Sequence, residues 1–218
     1  MNLELHHFFI LVEPGGEVAD LLSAIGMIEG SGNKHEGQGT SNRRFFFSNG
    51  TLELLWVHDE IEAKNGPGKN MLLAERAKSG SSSPFGVIFT RKNNIEQKIP
   101  FDGWKYEPVY FDPPWAFHVG DNSKNINEPL CVYMPFIDPE APMPIAQGTN
   151  ENTLFTTISN VTLYIPSGPF SDVITKVSSA DRLSIKKANE HLMEVTFNEN
   201  KSGQIHDLRP DIPLIVNW

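Results

Sequence analysis

The first sixty residues of this chain and its last sixty follow one plan. Leu5-His6-His7-Phe8-Phe9-Ile10-Leu11-Val12-Glu13-Pro14-Gly15-Gly16 lies without a gap over Ile158-Ser159-Asn160-Val161-Thr162-Leu163-Tyr164-Ile165-Pro166-Ser167-Gly168-Pro169. Each stretch is an apolar strand-like run, then a Pro/Gly turn, then a segment with helical apolar spacing. Later strands follow in both, ending at Leu52-Glu53-Leu54-Leu55-Trp56 and at Pro213-Leu214-Ile215-Val216-Asn217-Trp218. A pattern match of this size predicts a duplicated supersecondary unit. In that overlay His7 falls on Asn160 and Glu53 on Ile215, so the polar pair belongs to one copy only.

Local signals fill in the elements. Residues 3–12 read as a strand. Val18, Leu21, Leu22 and Ile25 lie on one helix face, and Gly26 is placed as its stop. Residues 30–42 read as a Gly/Ser/Asn-rich loop, and 43–48 with 51–57 as a hairpin across Asn49-Gly50. A polar connection over 59–69 and a short helix over 71–78 follow. The middle is less regular, with strands expected at 85–90, 106–111, 115–119 and 130–134. The last unit reads as a strand at 156–165, a helix at 170–179, and strands near 183–187, 190–198, 203–208 and 212–217. The domains expected are 1–136, a linker at 137–153 with three prolines, and a second β-α-β-β-β module over 154–218. The fold class is α+β, with repeated β-α-β-β-β modules forming curled mixed sheets around a cavity. The 33 glycines and prolines fit a chain with many turns and short strands.

A net charge of −9 without a long charged run points away from nucleic acid and anionic membrane as partners. The single cysteine, Cys131, rules out an intrachain disulfide framework. No leader-like segment or membrane-length apolar run is read, so a cytoplasmic protein is expected.

The repeated β-α-β-β-β order resembles the vicinal oxygen chelate superfamily, which includes glyoxalase I and the extradiol dioxygenases, and within it the glyoxalase-like domains. The residues that carry the resemblance are the opening strand Leu5–Val12 with its His, the stretch His35-Glu36-Gly37-Gln38-Gly39-Thr40-Ser41-Asn42-Arg43, and Leu52-Glu53-Leu54-Leu55-Trp56 with its Glu. The match is good over 1–58, looser over 84–136, and one of element order over 156–218. The resemblance implies a cavity whose facing strands hold a divalent metal (Zn, Fe, Mn or Ni), two oxygens of a small substrate on that metal, and lyase or dioxygenase chemistry.

Period-two alternation puts His7 on one face with Leu5, Phe9 and Leu11, and Glu53 with Thr51, Leu55 and Val57. Adjacent histidines then point to opposite faces; the resemblance selects His7 for the cavity and leaves His6 facing away. His7 and Glu53 are the candidate catalytic residues and metal ligands, with His118 as a third ligand from the middle region. A divalent site generally takes three or more protein donors, and the overlay supplies none from the last unit. A divalent metal or no cofactor at all is therefore the expectation. His35, Gln38, Thr40, Asn42, Arg44 and Trp56 are the candidate substrate-binding residues. The glycines between them let backbone approach a ligand closely, although the same loop also reads as a turn that satisfies its own backbone. Three functions stay open: an enzyme acting on a small oxygenated molecule, a metal-free binding module of the sequestering or resistance type, and an interaction domain without a cavity. A small-molecule ligand and a homodimer are the expected partners.

Overall fold

A computed structural model describes residues 2–78, 80–141, 154–166 and 168–218. Most of the expected linker, residues 142–153, lies outside the described residues. Among the described residues the architecture is α+β, with thirteen strands in two sheets and four short helices.

The first unit runs β1 (Glu4–Leu11), α1 (Ala19–Ala24), β2 (Asn33–His35), β3 (Thr40–Phe47) and β4 (Gly50–Val57). The second runs β5 (Phe85–Thr90), β6 (Gly103–Tyr106), β7 (Phe117–Gly120) and β8 (Leu130–Tyr133). Their strands form one curled half-barrel in the order β2-β3-β4-β1-β5-β8-β7-β6. The two halves share a pairing scheme. β1 is parallel to β4, β5 is parallel to β8, and β1 meets β5 antiparallel at the centre.

The repeat therefore relates 4–57 to 85–133. The last unit, β9 (Ile158–Ile165), α4 (Asp172–Val177), β10 (Leu183–Lys187), β11 (Leu192–Phe197), β12 (Ile205–Asp207) and β13 (Leu214–Asn217), forms a separate sheet ordered β10-β9-β11-β13-β12. It keeps a similar element order but pairs β9 with β10 in parallel, and β13 with β11. Ile215 lies beside Glu194, so the overlay of Glu53 on Ile215 does not survive as a spatial equivalence. The second unit escaped the sequence overlay because it lacks the helix between its first two strands.

Two further differences are local. The polar stretch 59–69 contains helix α2 (Glu60–Asn65), N-capped by Asp59, whose Oδ1 accepts from the Glu62 N–H at 2.9 Å. Residues 107–111, expected as a strand, leave the sheet edge after Tyr106 and form a loop that runs to Phe117.

The outer face of the half-barrel carries Leu5, Phe8, Ile10, Leu52, Leu54, Phe85, Val87 and Tyr133, packed into one core with α1, α4 and the five-stranded sheet. Polar clamps fix that sheet in place. The Asn49 amide makes two 2.9 Å bonds with the Ile158 backbone, and Arg182 donates to the Asn49 carbonyl and to Glu4. The Glu128 carboxylate, fully buried, accepts from Ser171 N and Oγ at the start of α4. Buried Arg76, on α3 (Leu73–Lys78), donates to the carbonyls of Met71, Ser123, Asn125, Ile126 and Glu128. Among the described residues no helix is long and apolar enough to cross a membrane.

Candidate functional site

The inner face of the half-barrel is a second apolar cluster, built from Phe9, Leu11, Leu55, Ile88, Tyr106, Val119, Leu130 and Val132. It encloses a cavity of about 90 Å³ whose polar lining is His7, His35, Gln38, Glu53, Tyr106 and Tyr110. Both halves of the sheet contribute.

His7 on β1 and Glu53 on β4 come together because these strands are parallel neighbours, with His7 opposite Thr51 and Phe9 opposite Glu53. The two side chains are thus diagonal on one face. A strand spacing of about 4.8 Å and a two-residue rise of about 6.6 Å put their backbones on the order of 8 Å apart. Burial pushes the Glu53 carboxyl above its ordinary value, while the Asn42 amide and the Arg44 guanidinium draw it partly back. Burial holds the His7 imidazole well below its ordinary value, helped by His6, Arg44 and His35.

His6 stays outside the cavity lining, as expected, but it is not separated from His7 across the sheet. Leu5 pairs with Phe89 and His7 with Ile88, so one extra residue sits in β1 at His6. Such a bulge re-aims side chains. It moves Leu5 to the outer core, away from the face of His7, and it brings His6 Nδ1 to 2.9 Å from His7 Nδ1, the rings edge-on at 5.1 Å. Burial and nearby Arg182 lower the His6 pKa to about 4.

Opposite, the loop from β2 to β3 presents His35 and Gln38. Helix α2 anchors it: Glu62 Oε1 accepts from Gly37 N at 2.7 Å. Gly39 has φ +72°, and a Cβ there would come within 2.3 Å of the Asp59 carbonyl, so the loop needs glycine at that point. Tyr106 donates to Gln38 Oε1 at 3.2 Å, Gln38 Nε2 donates to Thr40 Oγ1 at 2.8 Å, and Thr40 Oγ1 lies 3.0 Å from His35 Nδ1. The hydroxyl has one proton to give; given to Nδ1, it fixes the neutral ring as the Nε2–H form. Burial lowers the His35 pKa to about 4 and raises Tyr106 to about 12; Tyr110, against Tyr106 and near Glu53, is raised further.

The remaining sequence candidates take other places. Thr40 lies one layer behind the lining as the link between Gln38 and His35. Asn42 is buried, with its Oδ1 accepting from Asn33 N at 2.7 Å. Arg44 turns toward Ser31 and Asn33 and stacks over Phe46, leaving the cavity to feel its charge and not its contacts. Trp56 is not in the cavity: alternation sends it to the opposite face from Leu55, where it meets Gly16. His118 is likewise outside, for the same reason. Phe117 lines the cavity, so its neighbour faces out, and His118 Nε2 is bonded to the Phe101 carbonyl at 2.8 Å.

The sequence reading missed Tyr106 and Tyr110. Their roles depend on β6 and β7 belonging to the same curled sheet, and a run of aromatics was the only local signal. Phe111, Trp115, Phe117 and Phe136 pack together around that loop, with Trp115 stacked on Phe136 at 5.5 Å and still 55% exposed.

The lining does not fit a divalent metal centre of the kind the resemblance implies. His7 and Glu53 supply two donors, and His7 Nδ1 is already engaged by His6. The other half of the sheet, β5 and β8, faces the cavity with Ile88, Leu130 and Val132, none of which is a metal donor. Among the described residues no group of three or more His, Cys, Asp or Glu side chains is placed to hold a metal. A wider groove of about 1180 Å³, lined by Glu13, His58, Lys78, Glu190, His191 and Asp211 among others, lies elsewhere and contains none of the convergent pairs described above.

A crystal structure of a hypothetical protein from Staphylococcus aureus superposes with a TM-score of 0.58 at 12% identity, covering 98% of each chain. The likeness shows the fold. A hypothetical protein from Bacillus halodurans aligns at TM-score 0.43 and 13% identity over 62% of this chain and 94% of its own. No family model matches the chain, and no curated protein does.

Proposed function

We propose that the cavity takes a small oxygenated organic molecule and that this chain is a glyoxalase-like protein of the vicinal oxygen chelate type working through its own side chains. The observation that carries this reading is the convergence of His7 and Glu53 on one face of an otherwise apolar and aromatic cavity. A carboxyl raised by burial is suited to give or take a proton near neutral pH, and a neutral imidazole beside it can accept one. His35, Tyr106 and Tyr110 are neutral hydrogen-bonding groups for the ligand's oxygens. Among the described residues no Lys or Arg lines the cavity, and Arg44, whose charge reaches it, is occupied by Ser31 and Asn33, so the lining favours a neutral carbonyl or phenolic compound over a carboxylate or phosphate. The chemistry we assign is proton exchange at carbon next to a carbonyl, in place of the metal-assisted lyase or dioxygenase step that the resemblance implies.

Ile88, Leu130 and Val132, the apolar wall that β5 and β8 present to the same cavity, favour a second reading, a binding module without catalysis. One experiment separates the two. A panel of small neutral carbonyl and phenolic compounds is screened by thermal shift against the wild type and Glu53→Gln. A compound that binds the folded state alone raises the melting temperature according to its concentration over Kd, and the shift should vanish in the variant. Compounds that bind are then followed by NMR in deuterium oxide. Exchange of the C–H next to the carbonyl, dependent on Glu53, identifies an enzyme; binding without exchange identifies the module. If no compound shifts the wild type, the reading falls.

A further inference from the structure

We propose that His6 is a positioning residue that sets which proton His7 presents to the cavity, the two rings acting as a coupled tautomer pair. The inference rests on the reading of the cavity as a ligand site, with His7 in its wall.

The geometry comes from the bulge. Without the extra residue in β1, alternation would separate the two rings across the sheet; with it, their Nδ1 atoms stand 2.9 Å apart. A contact of that length between two imidazole nitrogens needs one N–H and one lone pair. The surroundings keep both rings neutral. His6 has the Arg182 guanidinium beside it, and His7 has Arg44 and the neutral His35. The two rings must therefore hold opposite tautomers. If His7 carries Nδ1–H, its Nε2 is a lone pair, the base form. If His6 carries Nδ1–H, then His7 accepts at Nδ1 and presents Nε2–H, the donor form. Nδ1 of His7 being taken by His6, Nε2 is the nitrogen left for the cavity.

The two forms interconvert without a charge on either ring, while the ligand keeps the electron pair of its broken bond to hydrogen as an enolate and water carries the proton away. His7 Nε2 takes a proton from the ligand, the His7 Nδ1–H bond breaks as the proton moves to His6 Nδ1, and His6 gives up its Nε2–H to water. One proton enters and one leaves. His6, half-buried outside the cavity, is placed for the second step. A lone imidazole would have to become a cation in a site that disfavours one.

The test reads tautomers directly in the full-length chain labelled with ¹⁵N-histidine, by long-range ¹H–¹⁵N correlation at pH 7. The expected result is one Nδ1–H ring and one Nε2–H ring for His6 and His7. His6→Phe should collapse the His7 nitrogen shifts toward a mixed-tautomer average, and His6→Asn, whose amide can reach a similar position, should restore a single form. Two Nε2–H rings, an imidazolium in either ring, or His7 shifts unchanged in His6→Phe would overturn the proposal. Should His6→Phe not fold, His7→Gln tests the same coupling from the other side, and unchanged His6 shifts there would also sink it. None of these readouts needs a ligand, so opposite tautomers together with a blank ligand screen would fail the functional reading and leave the pair intact.

Discussion

The Tyr106 hydroxyl donates to Gln38 Oε1 at 3.2 Å, and with that bond the two ends of the eight-stranded sheet meet across the cavity. Tyr106 ends β6, at one edge; Gln38 sits between β2 and β3, at the other. Tyr106→Phe keeps the ring and leaves a buried carbonyl oxygen without its donor. We expect a loss of about 1 kcal/mol, or about 2–4 °C in melting temperature for a chain of this size. Ligand affinity should fall further than stability, because Gln38, Thr40 and His35 lose their common anchor. Calorimetry of the variant beside a ligand titration checks both.

Gly86, on β5, faces Phe9, and a Cβ there would come within 2.0 Å of the Phe9 ring. Phe9 lines the cavity. Gly86→Ala should drive the ring into that space and abolish ligand-dependent thermal shifts. Overpacking typically costs about 1–3 kcal/mol. A variant that binds like the wild type would show that Phe9 yields in another direction.

Acid and base sides of the stability profile should have different owners. His35 and His6 each have a folded pKa of about 4 against an ordinary 6.5. Between those values the unfolded chain binds protons that the folded chain refuses. The contribution of these two histidines is therefore complete above pH 6.5 and is lost as pH drops toward 4. His35→Gln should flatten that limb by about 1–3 kcal/mol. Glu53 has the opposite sign. Its raised folded pKa means the folded chain holds a proton that the unfolded chain releases, so its stabilising effect is lost as pH rises above 4.5. Glu53→Gln should remove that decline and leave the acid limb unchanged. Thermal melts from pH 4 to 8 on the wild type and both variants decide the matter.

Arg76 is a buried cation held by five backbone carbonyls. Arg76→Ala strips donors from all of them and should cost about 3–5 kcal/mol. Lysine restores the charge but not the planar fork, so Arg76→Lys should recover only part of that loss. Urea unfolding of both variants gives the ordering, and equal stability for Arg76→Lys and wild type would contradict it.

Much of the candidate site could be read from local pattern. Alternation alone put Phe9 and Leu11 with His7, and Leu55 with Glu53, and those residues do share the inner face. The same rule, applied to Trp56 and His118, would have sent them outward, since Leu55 and Phe117 face in. Resemblance and composition made them candidates instead. The hairpin of β3 and β4 was evident from Asn49-Gly50, although the turn residues are Ser48 and Asn49, and the Asn49 side chain is spent on Ile158.

What the sequence by itself determined is where the strands run and which side chains share a face within each, because a period of two needs only neighbouring residues. Tertiary structure decided which strands became partners. The internal repeat joined 4–57 to 85–133 instead of to 158–217, since pairing is chosen by the non-local burial of whole apolar faces and not by any one segment's pattern. It also decided the bulge at His6: one extra residue in β1 is set by the register against β5, some eighty positions away, and that register turned two histidines expected on opposite faces into a hydrogen-bonded pair.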